Sequence, residues 1–187
     1  MNFLNAYEIQ ILDFISEHLK CSFLDTILPY ITSLADTGIL WIVIAVIMLC
    51  FRQTRKAGFM MGLALIMGLV VGNLTLKPLV ARIRPYDVNT DVVLLINKLH
   101  DYSFPSGHTL ASFEGAGVLM LTYRKTFGYP ALVLASIIAF SRMYLYVHYP
   151  TDVLVGLILG LLFAFASYKI VNAIYSAVEK KKTVVTE

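Results

Sequence analysis

Five apolar runs, at 38–51, 57–76, 109–123, 129–141 and 153–171, fill the middle of the chain and decide which solvent it can live in. A helix crossing the hydrocarbon core of a bilayer needs about 17–25 apolar residues, because each backbone amide must find its partner inside the segment. The runs at 57–76 and 153–171 reach that length unaided, and the other three must borrow flanking residues or face protein. Of the 187 residues, 58% are hydrophobic and 14% charged, and mean hydropathy is +0.75. A soluble domain has an apolar share of about 45–50%. The expected architecture is therefore all-α: a polytopic membrane helix bundle of about five spanning helices, in one domain without internal repeats or linkers.

Ahead of these runs, the stretch 5–20 sets Glu8, Asp13, Glu17 and His18 among Ile9, Ile11, Leu12, Phe14, Ile15 and Leu19. It lacks the basic start and unbroken apolar stretch of a signal peptide, and its acids oppose spanning, so it reads as an interfacial helix. A second amphipathic piece follows at 23–34 around Pro29. The expected division is interfacial helices over 1–36, a membrane core over 37–175 and a cytoplasmic tail over 176–187.

The basic residues set an orientation. Arg52, Arg55, Lys56, Arg124, Lys125, Lys169, Lys180, Lys181 and Lys182 fall on one side; Lys20, Lys77, Arg82, Arg84, Lys98 and Arg142 fall on the other. Lys77, Arg84 and Arg142 sit in motifs that need positive charge for chemistry, so the first side dominates the remaining count and is expected to be cytoplasmic. The C-terminus shares that side. A net charge of +3 is too small to point to nucleic acid, and the run Lys180, Lys181 and Lys182 reads as an anchor to anionic headgroups. Cys21 and Cys50 bracket the first apolar run, too far apart for a disulfide.

Three strings at the ends of the runs carry reactive side chains. The first, Lys77-Pro78-Leu79-Val80-Ala81-Arg82-Ile83-Arg84-Pro85, places two cations seven residues apart; on a helix continued past Leu76 both would point the same way. Alone, such a pair is better described as basic residues reaching for headgroups. The second, Pro105-Ser106-Gly107-His108, opens the third run with a good helix start, unpaired first-turn amides, a hydroxyl, a glycine open to close approach and an imidazole. The third, Ser141-Arg142 followed by His148 and Asp152, sets a carboxylate four residues after a histidine. One helical turn would bring it to one ring nitrogen and leave the other free to attack.

Between the first two strings lies the one long polar excursion, 81–104. Its segment 92–99 is expected to form a short amphipathic helix with Val92, Val93, Leu95, Ile96 and Leu99 on one side. Glu114 and Asn73 lie within apolar runs and are expected to hydrogen-bond between helices. Gly115, Gly117, Gly156 and Gly160 predict close helix packing, with a dimer face as one use of the last two.

Taken together and in order, Lys-x6-Arg-Pro, Pro-Ser-Gly-His and Ser-Arg-x5-His-x3-Asp resemble the type 2 phosphatidic acid phosphatase family, membrane relatives of bacterial acid phosphatases and vanadium haloperoxidases. The resemblance covers residues 22–171. It implies a lipid phosphatase in which His148 is the nucleophile forming a phosphohistidine, Asp152 its orienting partner and His108 the general acid. It makes Lys77, Arg84, Ser106, Gly107 and Arg142 the phosphate ligands. No metal and no cofactor are expected; three cations and helix amides would stabilise the charge that spreads over the phosphoryl oxygens.

The short start resembles the compact bacterial undecaprenyl diphosphate phosphatases. Those often carry aspartate where this chain has Gly107, so the substrate stays open between undecaprenyl diphosphate and phosphatidylglycerophosphate or phosphatidate. The expected partners are the lipid phosphate or diphosphate substrate and membrane lipids, with the site on the extracytoplasmic face of a cell membrane. Two readings from other classes are a non-catalytic lipid-phosphate binder or transporter, and a vanadate-loaded peroxidase.

Overall fold

A computed structural model describes residues 3–185, and every regular element among them is helical. Helix α1 (Phe3–His18) and α2 (Ser22–Ser33) lead through a single 3₁₀ turn, Asp36–Gly38, into α3 (Ile39–Cys50). Helix α4 (Arg55–Met67) widens into π-type winding over Gly68–Leu76 and ends in the turn α5 (Lys77–Val80). A second single turn, α6 (Pro85–Val88), follows, and then α7 (Gly107–Thr122), a π-type turn at Arg124–Gly128, α8 (Tyr129–Tyr144) and α9 (Pro150–Val185). Residues 176–185, expected as a tail, continue α9; Thr186 and Glu187 lie outside the described residues.

Three stretches are long and apolar enough to cross a membrane: Arg55–Val88, Arg124–Tyr144 and Pro150–Lys181. The pair Ser22–Ser33 and Asp36–Cys50, bent by 40°, makes a fourth if it counts as one span. Helix α7 has 16 residues, about 24 Å at 1.5 Å per residue, less than the hydrocarbon thickness of about 30 Å. It is instead the bundle's axis: Leu110 and the whole stretch 112–119 are buried, walled by α3, α4, α8 and α9. Outward-facing Val43, Ile47, Phe59, Val133, Leu154, Ile158 and Leu162 give the bundle an apolar jacket.

Glycine sets how closely α9 approaches α7. A Cβ on Gly156 would stand 2.8 Å from the Ser106 carbonyl oxygen, and one on Gly160 would stand 2.7 Å from that of Leu110. The spacing predicted from sequence is thus used inside the chain. Trp41 crosses onto α7 in the same way, covering Gly115 and donating from Nε1 to the Ser112 hydroxyl at 3.2 Å. At the polar end, α1 buries Ile9, Leu12 and Ile15 against Tyr144, Leu145, Tyr146, Val147 and Tyr149. Cys21 and Cys50 are both free.

The excursion departs from expectation. Residues 92–99 are not helical; Val92, Leu94 and Ile96 pack inward while Val93 and Leu95 are exposed. That alternation has the period of extended chain, and Tyr86 pins its end by donating to the Leu99 carbonyl at 2.9 Å and accepting from the Leu99 amide at 3.1 Å. Because the α7–α9 contact has backbone on one side, Gly160→Ala should cost about 1–3 kcal/mol by overpacking. Thermal unfolding in detergent should show a lowered midpoint, while Gly62→Ala, where an added Cβ would meet nothing within 4 Å, should leave it unchanged.

Candidate active site

The three motifs converge at one end of the bundle, by a different route from the expected one. The helix carrying Lys77 stops at Ala81, whose φ of 47° is left-handed, and Arg84 lies in extended backbone before Pro85. Lys77 and Arg84 are therefore not two turns apart on one helix. A carboxylate brings them together: Lys77 Nζ donates to Asp101 Oδ2 at 2.5 Å and Arg84 Nη2 to Asp101 Oδ1 at 2.5 Å. Arg84 is buried, with Nε donating to the Asp101 carbonyl at 2.9 Å and Nη1 to the Val147 carbonyl at 2.7 Å. Burial alone would raise the Asp101 carboxyl, but Lys77 and Arg84 outweigh it and hold the group at about 2.

Ser106 precedes α7, fully buried. Its hydroxyl pairs with the Thr109 hydroxyl at 2.9 Å, and its amide donates to the Asp152 carbonyl at 3.1 Å, tying the second motif to the third. A Cβ on Gly107 would come within 3.0 Å of Asn73 Oδ1. His108, in the first turn, has Nε2 at 2.7 Å from Asp36 Oδ1.

Arg142, in the last turn of α8, is 1% exposed. Its Nη1 donates to the Thr32 hydroxyl at 2.7 Å, while Nε and Nη2 have no hydrogen-bond partner among the described residues. A buried guanidinium with two idle donors is costly unless an anion meets them. No carboxylate lies within ion-pair distance of it among the described residues.

His148 stands between these charges on the segment joining α8 and α9, where Tyr146 takes a left-handed φ of 60°. Its Nε2 lies 3.3 Å from Arg84 Nη1, and its Nδ1 lies 3.6 Å from Asp152 Oδ2. A guanidinium can only donate, so Nε2 carries the lone pair and Nδ1 the proton. The expected turn between His148 and Asp152 does bring the carboxylate to one ring nitrogen, although at a separation longer than a hydrogen bond. Asp152 is held firmly by others: Oδ2 accepts from the Ser103 hydroxyl and from the Tyr149 amide at 2.9 Å, and Oδ1 accepts from Arg82 Nη1 at 2.6 Å. Burial pushes the His148 imidazole down to about 3, Asp152 pulls the other way, and Arg84 and Arg142 add to the fall.

Lys77, Arg84, Gly107, His108 and His148 line one cavity of about 870 Å³, and Ser106, Arg142 and Asp152 are buried outside its lining. From this polar end the cavity runs between α3 and α4 along Ile42, Val46, Leu49, Leu65, Ile66 and Leu69. Glu114 and Asn73 also line it, and Glu114 Oε1 has no hydrogen-bond partner among the described residues, so its expected interhelical bond is not formed by that atom. Sequence reasoning left out Asp101, Ser103, Thr32 and Asp36. Only Asp101 and Ser103 carried a signal, as polar residues just before Pro105 in a long loop. Arg82, the remaining cation of the first string, is taken by protein carboxylates, and Asp87 pairs with Lys98 at 3.3 Å on the surface.

The PAP2 superfamily model matches residues 54–176 of this chain. An undecaprenyl-diphosphatase of Sulfolobus acidocaldarius is 35% identical over 130 residues, a match spanning 70% of this chain and 63% of that protein. The undecaprenyl-diphosphatase BcrC of Bacillus subtilis is 30% identical over 172 residues, 87% of this chain and 88% of its own length. Among solved structures, a transmembrane PAP2-type phosphatidylglycerolphosphate phosphatase from Bacillus subtilis superposes with a TM-score of 0.74 at 27% identity, covering 93% of this chain and 89% of the other.

Two outcomes follow from the charges. Asp101→Asn should bind inorganic phosphate about 3- to 10-fold more tightly by calorimetry, because the half-exposed carboxylate contributes about 1 kcal/mol of competing ion pairing. The ¹⁵N-histidine signal that His148→Ala removes should stay at neutral-imidazole shifts from pH 8 down to 5, where an ordinary histidine protonates at about 6.5.

Proposed function

The chain belongs to the PAP2 superfamily, and from that premise and the geometry of the site we propose that it is a membrane lipid phosphatase working through a phosphohistidine on His148. Arg142 carries this reading: a buried cation with two unused donors, near enough for its charge to act on the lone-pair-bearing His148 imidazole, calls for an anion at the point of attack. The apolar continuation of the cavity supports a substrate whose tail stays among the helices.

His148 Nε2 attacks the terminal phosphorus, forming an N–P bond as the bond to the lipid-side oxygen breaks. His108, held by Asp36, gives that oxygen its proton. The Nδ1–H of His148 faces Asp152, which stabilises the positive ring as the bond forms. Arg142, Arg84 and Lys77, the last two freed of their competitor as phosphate displaces Asp101, gather the equatorial oxygens with the first-turn amides of α7. Water then attacks phosphorus, His108 takes its proton, and inorganic phosphate leaves with His148 restored. Protein cations supply the charge stabilisation, so the mechanism has no step that needs a metal.

The substrate favoured is undecaprenyl diphosphate, cleaved to the monophosphate and phosphate, the activity named for the two curated relatives. A glycerophospholipid monoester is the second candidate, supported by the phosphatidylglycerolphosphate phosphatase structure. The excess of basic residues on the opposite side supports a site on the outer face of the membrane and a C-terminus in the cytoplasm. Residues 37–175 form the catalytic core, and 3–36 cover its polar end at the interface.

Purified protein with chelator present should release phosphate from undecaprenyl diphosphate faster than from phosphatidylglycerophosphate or phosphatidate. His148→Ala should lower release by about 10³-fold or more. Acid-labile, base-stable ³²P-labelling at His148 during turnover should identify the intermediate. A folded His148→Ala that keeps full activity on all three lipids would overturn the proposal.

A further inference from the structure

Arg82 is the cation of the first motif that the mechanism leaves unused. It does not line the cavity. Its guanidinium instead sits behind Asp152 as the hub of a buried network. Nη1 donates to Asp152 Oδ1 at 2.6 Å and to the Thr151 hydroxyl at 2.7 Å. Nη2 donates to Asn5 Oδ1 at 2.6 Å and to the Glu8 carboxylate. The other oxygen of Glu8 accepts from both the amide and the hydroxyl of Thr151, each at 2.7 Å. The guanidinium also stacks over the Tyr149 ring, 3.8 Å from its centroid.

Glu8 and Asp152 are 3% and 0% exposed, and one guanidinium lies between them. Two buried carboxylates flank one partly buried cation, and removing the cation leaves both without an ion pair. The geometry has a direction as well. Because Arg82 holds Oδ1, the Asp152 carboxylate presents Oδ2 to Ser103, to the Tyr149 amide and to His148 Nδ1. The group that orients the nucleophile is thus itself oriented, and its outermost anchors, Asn5 and Glu8, belong to α1.

We infer that Arg82 is a positioning residue for the Asp152–His148 pair, and that α1, through Glu8 and Asn5, is a working part of the catalytic unit and not only a membrane-surface anchor. The inference rests on His148 being the nucleophile of the proposed reaction. A residue acting this way changes the rate of the step His148 performs and leaves anion binding alone, whereas a phosphate ligand changes both.

The test uses full-length protein in detergent, the fastest of the three lipid substrates, and competitive inhibition by inorganic phosphate. Arg82→Gln should lower kcat about 10- to 100-fold while KM and the phosphate inhibition constant move by less than about threefold. Arg82→Lys, which restores charge without the fork, should recover part of that loss. Glu8→Gln, which keeps every Arg82 contact to α9, should lower kcat about 3- to 10-fold in the same pattern. Wild-type kcat in folded Arg82→Gln, or a loss in which KM and the phosphate constant rise together, overturns the inference. If Arg82→Gln does not fold, Glu8→Gln decides, and wild-type kcat there overturns it equally. His148→Ala runs alongside: an enzyme that variant silences but Arg82→Gln does not counts against this inference alone, and a fully active His148→Ala counts against the underlying reaction.

Discussion

The contact of α9 with α7 is the joint on which the site depends. Gly156 and Gly160 let the two helices meet backbone to backbone, and at the end of that seam the Ser106 amide donates to the Asp152 carbonyl. The seam fixes the start of α7, with Ser106, Gly107 and His108, against the start of α9, with Asp152 and the preceding His148. Neither helix end could hold this arrangement alone. A first turn exposes amides but does not select a partner, and a histidine four residues before an aspartate has several rotamers. Backbone in contact with backbone removes that freedom, because neither side can relax as a flexible side chain would.

Charge is then placed on a frame that cannot move to accommodate it. Arg84, Arg142, Asp152 and Glu8 are all buried, and in low dielectric each is tolerable only with its partners in place. This explains why so many hydrogen bonds at this end come from loops and not from helices. The segment 101–103 delivers Asp101 and Ser103, the segment 145–149 delivers a carbonyl and an amide, and the link between α2 and α3 delivers Asp36. The 81–104 excursion earns its length by supplying counter-charges and a donor to groups that the spans leave bare.

The all-helical class, the convergence of three motifs and the His148–Asp152 pairing were legible in the sequence, since each rests on hydrophobic period, helix-start chemistry or spacing along one turn. Three features were not. The break at Ala81 was hidden because alanine favours helix, and only the following chain, held by Asp101, requires a left-handed residue there. The extended path of 92–99 was hidden because six apolar residues in eight fit both periods, and the choice is made by the Tyr86 hydroxyl. The role of Glu8 was invisible because an acid on an amphipathic helix reads as a solvated face, and only the fold shows that this face lies on Arg82 and Thr151.

The balance of charge across the site says what it is built to accept. Arg82 is neutralised twice, by Glu8 and Asp152, and faces away from the cavity. Lys77 and Arg84 share a single carboxylate, Asp101, which is half-exposed at the rim and so can leave at small cost. Arg142 has only a hydroxyl and cannot leave at all. An entering group that replaces Asp101 must therefore bring more than one negative charge to restore balance, together with oxygens on several sides to reach donors from three motifs. A carboxylate has one charge and a planar pair of oxygens; a terminal phosphate has about two charges and a tetrahedral set. On these grounds the cavity discriminates between anions by charge and shape before any bond is broken, and its apolar limb between α3 and α4 adds the demand that the phosphate be carried on a hydrocarbon chain.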